Sequence, residues 1–85
     1  MDDRDLIGRL DALPDRFADR VPGPQLGTLR SLAEGGEYEE LLDALLAGLR
    51  KRNTLVTAAE RDDLGQLLRA LHLPTRPLGR LHVAA

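Results

Sequence analysis

The chain has 85 residues, a formal net charge of −2 and no cysteine. A chain of this length can form one small domain but is short for a domain that encloses a catalytic cleft. The missing cysteines exclude a disulfide framework and a thiolate metal site and fit a reducing compartment, so we predict a cytoplasmic location. The slight acidity argues against nucleic acid as a partner, and the acidic N-terminal segment without an apolar run predicts neither a signal peptide nor a membrane anchor.

The first predicted helix runs from Asp2 to about Ala18, with aspartates at its start that suit a helix N-terminus. Pro14 falls within this span, removes a backbone donor and disfavours helical angles at the preceding residue. The apolar pattern keeps its phase across the proline, so we predict a kink or a short break, with both halves still packed on one core. The residues of this stripe are Leu6, Ile7, Leu10, Leu13 and Phe17.

A turn at Val21 to Gln25 separates the first helix from the second, and its Pro24 is tolerated in the first turn of a helix. The second helix is predicted to run to about Glu34. The pair Gly35-Gly36 then supplies the left-handed backbone conformation that commonly ends a helix.

The third predicted helix, from Glu37 to Arg52, organises the rest of the chain. The acidic residues at its start and the basic residues at its end both interact favourably with the helix dipole. A broad apolar arc needs partners on more than one side, which predicts that this helix is the most buried of the bundle. The arc consists of Tyr38, Leu41, Leu42, Leu45, Leu46 and Leu49.

The fourth predicted helix follows a capping-box pattern in which Thr57 and Glu60 satisfy each other's backbone amides. It carries leucines at helical spacing and stops before Pro74. The fold class is therefore predicted to be all-α, a bundle of four main helices within residues 1–73. Residues 74–85 contain two prolines and a glycine and are predicted to form an extended tail, in the same domain or partly disordered.

Sequence motifs give no sign of catalysis or of cofactor binding. His72 and His82 lack the further ligands that a zinc site needs, and no phosphate-binding or nucleophile motif occurs. A helix-turn-helix function is disfavoured because the helix that would enter DNA begins with acidic residues. We predict a protein that is not an enzyme and that has no catalytic, metal or cofactor site.

The acidic residues suggest instead a surface for a basic protein partner. Glu40 and Asp43 project away from the leucine arc, Glu39 lies at its margin, and the pair Asp62-Asp63 is spared from the core of the fourth helix. Small residues at Ala44 and Ala47 lie beside the first group. We predict that these carboxylates form the rim of a partner-binding surface: Glu39, Glu40, Asp43, Asp62 and Asp63.

Three segments resemble the MafI-like immunity proteins of bacterial polymorphic-toxin systems. They are Gly36-Glu37-Tyr38 with the stripe Leu41 to Leu49, Val56-Thr57-Ala58-Ala59-Glu60-Arg61 with Leu64, and Ala70-Leu71-His72-Leu73-Pro74, in which His72 stands where glycine is expected. The resemblance implies a cytoplasmic antidote that binds and blocks the C-terminal domain of a cognate toxin, often a nuclease. It identifies no binding residues, because the matching positions are those that specify the fold.

The alternative function is a small helical adaptor or oligomerisation module without a toxin partner. Such a module would bury part of its leucine surface against another helix. The sequence leaves the toxin's activity, the stoichiometry and the oligomeric state open.

Overall fold

The computed structural model describes residues 1–85 and confirms the all-α class. Four helices pack around one leucine-rich core, with two short 3-10 helices and a parallel pair of two-residue strands beside them. In chain order the elements are α1 (Asp3–Arg16), a 3-10 helix (Ala18–Arg20), α2 (Gly23–Glu34), α3 (Tyr38–Lys51), β1 (Leu55–Val56), α4 (Ala58–Ala70), a second 3-10 helix (Arg76–Arg80) and β2 (His82–Val83).

Helix α3 contributes the largest share of the core, as its leucine pattern predicts. Five of its leucines are less than 5 % exposed, and they form one hydrophobic cluster with buried residues of α1, α2 and α4. Phe17 and Val56 are also buried, so the segments that flank α1 and α4 belong to the same core. The buried leucines of α3 are Leu41, Leu42, Leu45, Leu46 and Leu49.

Helices α1 and α4 both begin with a side chain that caps the backbone amides of the first turn. At α1 the Asp5 amide donates to the Asp2 carboxylate over 2.8 Å. At α4 the Thr57 amide donates to Glu60 over 2.8 Å and the Glu60 amide donates to the Thr57 hydroxyl over 3.0 Å, which confirms the capping box.

The structure keeps α1 continuous from Asp3 to Arg16, with Pro14 buried inside its last turn. The predicted short break is therefore not found, and a bend of the helix axis at Pro14 stays a prediction. The chain continues from Phe17 into the 3-10 helix Ala18–Arg20 instead of extending α1.

Helices α2, α3 and α4 end in the same hydrogen-bonding pattern, in which one residue adopts a left-handed conformation just beyond the helix. Only α2 uses glycine there: Gly36 has φ +69°, whereas Asn53 has φ +52° and His72 has φ +58°. In each case the next amide donates to a carbonyl five residues earlier: Glu37 to Leu32 (2.8 Å), Thr54 to Leu49 (3.0 Å) and Leu73 to Leu68 (2.8 Å).

The segment 74–85 departs from the extended tail that the prolines and glycine suggested. It forms the 3-10 helix Arg76–Arg80 and then strand β2, which pairs in parallel with β1. Leu81 is 9 % exposed and Leu78 packs against the core, so apolar burial outweighs the weak local propensity of this segment. The Ala84 amide extends the strand pairing by donating to the Val56 carbonyl over 2.8 Å.

Candidate protein-binding surface

The predicted acidic residues of α3 lie together on the protein surface. Glu39, Glu40 and Asp43 are exposed, and none of them forms an ion pair with another side chain. With Glu37 and Tyr38 they line one shallow depression at the first turns of α3. Their position at the positive end of the helix dipole stabilises the helix and leaves the carboxylates accessible to a partner.

The two acidic residues of α4 lie in a different environment. Asp63 accepts ion pairs from Arg16 at 3.1 Å and from Arg9 at 3.6 Å, so it connects α4 to α1 within the chain. Asp62 is exposed but lines a separate depression together with Arg61 and Arg69. The structure thus brings together three of the five predicted carboxylates, and Asp63 is already occupied by intramolecular partners.

A second group of carboxylates lies next to the carboxylates of α3, with Gly36 and Tyr38 between the two groups. These two residues line both the depression on α3 and a cleft of about 580 Å³ between α1 and α2. The carboxylates of that cleft are Asp11, Asp15 and Glu34. Spacing along the sequence does not reveal this junction, because it depends on how α1 packs against the start of α3.

Tyr38 makes the junction through its hydroxyl group. The phenol donates a hydrogen bond to a carboxylate oxygen of Asp11 over 3.0 Å. Desolvation of the phenol and the neighbouring Asp11 carboxylate raise the pKa of Tyr38 above its usual value. Tyr38 therefore stays protonated at neutral pH and fixes the position of one acidic side chain.

We call the combined region the acidic surface and define it by its carboxylates. Arg30 is the one cationic side chain that lines it, and Arg30 is paired with Asp15 at 3.1 Å. The remaining charge is uncompensated and points to solvent, which favours contact with a basic molecule. The carboxylates of the acidic surface are Asp11, Asp15, Glu34, Glu37, Glu39, Glu40 and Asp43.

The most strongly perturbed ionisable pair, Arg20 and Glu60, lies outside the acidic surface. The Arg20 guanidinium donates two hydrogen bonds to Glu60, at 2.7 and 2.6 Å, and lies 4.7 Å from the centre of the Phe17 ring. These bonds, with a further one from the Thr57 amide, lower the pKa of Glu60 to about 2 against partial desolvation. The pair joins the segment after α1 to the start of α4, so its role is structural.

The structure contains no group of three or more histidine, cysteine or carboxylate side chains placed to hold a metal ion. His72 and His82 are both exposed, one just beyond α4 and the other in β2. No helix has both the length and the apolar character needed to cross a bilayer.

Comparison with family models, curated proteins and solved structures found no match to this chain. The resemblance to MafI-like immunity proteins therefore stays a prediction.

Proposed function

We propose that this chain is an immunity protein that binds a cognate polymorphic-toxin domain and neutralises it by occlusion. The observation that carries the proposal is the acidic surface, with carboxylates from three helices and a single paired arginine. The sequence resemblance supplies the biological class, and the surface supplies the physical means of binding.

Electrostatic complementarity explains why such a surface suits an inhibitor of a basic protein. A toxin that cleaves nucleic acid presents lysine and arginine in the groove that holds the phosphates. Carboxylates from the inhibitor pair with these cations, speed up the encounter and block the entry of the substrate. The inhibitor needs no catalytic group of its own.

The alternative, a helical adaptor, relies on leucine surface that is free to meet another helix. In this structure the leucines of the α3 arc are buried within the bundle, and the exposed large apolar residues are Met1, Ile7 and Leu55. An adaptor function would have to use a surface other than the leucine arc, and the toxin-binding proposal is therefore preferred.

Co-expression tests the proposal directly. The toxin domain encoded beside this gene should arrest growth when expressed alone, and the chain should restore growth and co-purify with the toxin. A variant with three reversed charges on the acidic surface, Glu34→Lys with Glu39→Lys and Asp43→Lys, should keep its helical circular dichroism but protect less well. The matched control, Asp62→Lys, reverses a carboxylate outside this surface and should protect like the wild type.

Two results would reject the proposal. One is a folded chain that neither binds the toxin domain nor relieves its toxicity. The other is a neighbouring gene that encodes no toxic domain, in which case an adaptor function would be preferred.

A further inference from the structure

A groove between α2 and α3 leaves one face of α3 without a partner. The groove has a volume of about 250 Å³, and Leu29 and Leu45 are among the residues that line it. Besides Leu45 and Lys51, its α3 wall consists of small residues, of which Ala44 and Ala47 are exposed and Gly48 is half-buried. Small side chains on an exposed helix face permit close approach of another helix, because they set the distance between the helix axes.

Charges are ordered along this face of α3. Glu40, Ala44, Ala47 and Lys51 follow one another at spacings that alternate between four and three residues, the pattern of a seam between two paired helices. The acid lies at the N-terminal end of the stripe and the base at the C-terminal end. Neither Glu40 nor Lys51 has an ion-pair partner within the chain.

We propose that this face of α3 is a self-association surface whose occupant is the same face of a second copy of the chain, packed antiparallel about a twofold axis. The antiparallel arrangement places Glu40 opposite Lys51 of the second copy and Ala44 opposite Ala47 of the second copy. Twofold symmetry repeats both contacts, so Glu40 and Lys51 of each copy pair with Lys51 and Glu40 of the other. A parallel arrangement would bring like charges together and is disfavoured.

A second charge pair supports the same arrangement. Asp43 and Arg50 flank the stripe on one side, seven residues apart, and both are exposed without ion-pair partners. Antiparallel packing brings Asp43 of one copy close to Arg50 of the other. The complementarity thus extends beyond the central stripe to its flank.

The expected association is weak and depends on concentration. A helix of 14 residues is about 21 Å long, and one helix pair covers less than the roughly 800 Å² per partner of a standard interface. Glu40 and Asp43 also belong to the acidic surface, so a second copy and a basic partner would compete for them. The self-association does not rest on the proposed function and can be tested on the isolated chain.

Cysteine cross-linking tests the register, because the natural chain has no cysteine to interfere. Chains carrying Ala44→Cys should form disulfides with chains carrying Ala47→Cys about tenfold faster than either forms them alone, because only the mixed pair lies directly opposite. The matched control replaces Ala47→Cys by Ala12→Cys, an exposed alanine of α1, and should show no acceleration. Fastest cross-linking of Ala44→Cys with itself would indicate a parallel pairing and overturn the proposal.

Charge reversal, followed by sedimentation equilibrium, tests whether the Glu40–Lys51 pairs stabilise the self-association. Glu40→Lys or Lys51→Glu alone should weaken self-association about tenfold, whereas the double variant should restore it because the complementary pairs are regenerated. A wild-type chain that stays monomeric at about 1 mM would overturn the proposal, as would a double variant as weak as the singles. Circular dichroism of each variant confirms that the fold is retained. Success or failure of these tests on the isolated chain leaves the toxin-binding proposal to its own co-expression test.

Discussion

The carboxylate of Glu60 joins two parts of the chain that are 40 residues apart, through a two-bond pair with Arg20 at 2.7 and 2.6 Å. One of its oxygens also accepts the Thr57 amide over 2.8 Å and so closes the capping box of α4. Arg20 in turn donates to the Leu55 carbonyl and lies over the Phe17 ring. A single carboxylate therefore fixes both the start of α4 and its attachment to the 3-10 helix that follows α1.

Replacement of Glu60 by alanine should lower the free energy of unfolding by about 2 to 3 kcal/mol, because it removes a helix cap and leaves a partly buried guanidinium without its partner. Urea denaturation followed by circular dichroism measures this loss. Asp62→Ala is the control, since Asp62 is an exposed carboxylate on the same helix and should change stability by less than about 0.5 kcal/mol. Equal effects of the two substitutions would show that the Arg20–Glu60 pair contributes no stability.

The same pair predicts a pH dependence of stability. The folded-state pKa of Glu60 is about 2, below its ordinary value of 4.5, so its contribution is fully present above about pH 4.5 and is lost as the pH falls towards 2. The shift from 4.5 to about 2 corresponds to roughly 3 kcal/mol. The difference in unfolding free energy between the wild type and Glu60→Gln should shrink over that range, and a constant difference would contradict the assigned pKa.

His72 occupies a left-handed backbone position that costs a non-glycine residue about 1 kcal/mol or more. His72→Gly should therefore raise the unfolding free energy by about 1 kcal/mol, while Asn53→Gly should raise it less because asparagine tolerates this conformation. Thermal melts of the two variants compare the gains. A destabilised His72→Gly chain would mean that the imidazole makes contacts that outweigh the backbone strain.

Leu81 tests whether the C-terminal segment belongs to the core. Leu81→Ala should cost about 2 kcal/mol of unfolding free energy, and Leu45→Ala at the centre of α3 should cost about 2 to 5 kcal/mol. Leu55→Ala is the matched control, because Leu55 is 60 % exposed and its loss should have little effect. A Leu81→Ala chain as stable as the control would mean that the C-terminal segment is not docked on the core.

Local signals in the sequence predict the helices well, because each depends on neighbouring residues. The leucine arc of α3, the Thr57–Glu60 capping box and the left-handed Gly36 all follow from spacings of three to five residues. Asparagine and histidine at the ends of α3 and α4 are weaker signals than glycine, because a side chain disfavours the left-handed backbone conformation found there.

Long-range pairings could not be predicted in the same way. Three contacts join residues that are far apart in the sequence and depend on how the helices pack: Arg20 with Glu60, Asp63 with the arginines of α1, and β1 with β2. For the same reason, the sequence grouped Asp63 with the free carboxylates although it is bound by Arg16 and Arg9. The continuity of the acidic surface depends on the contact between Tyr38 and Asp11, which are 27 residues apart.

The rate of association with the proposed toxin partner tests the central claim most directly. Charge steering should make the wild-type on-rate fall as salt is raised, and Glu40→Lys with Asp43→Lys should slow it without disturbing the fold. Glu39 lies outside the self-association stripe, and Glu39→Lys should also slow the on-rate. Asp62→Lys should leave the on-rate nearly unchanged. Stopped-flow measurements that show on-rates independent of salt and equal for all four chains would contradict an acidic binding surface at the start of α3.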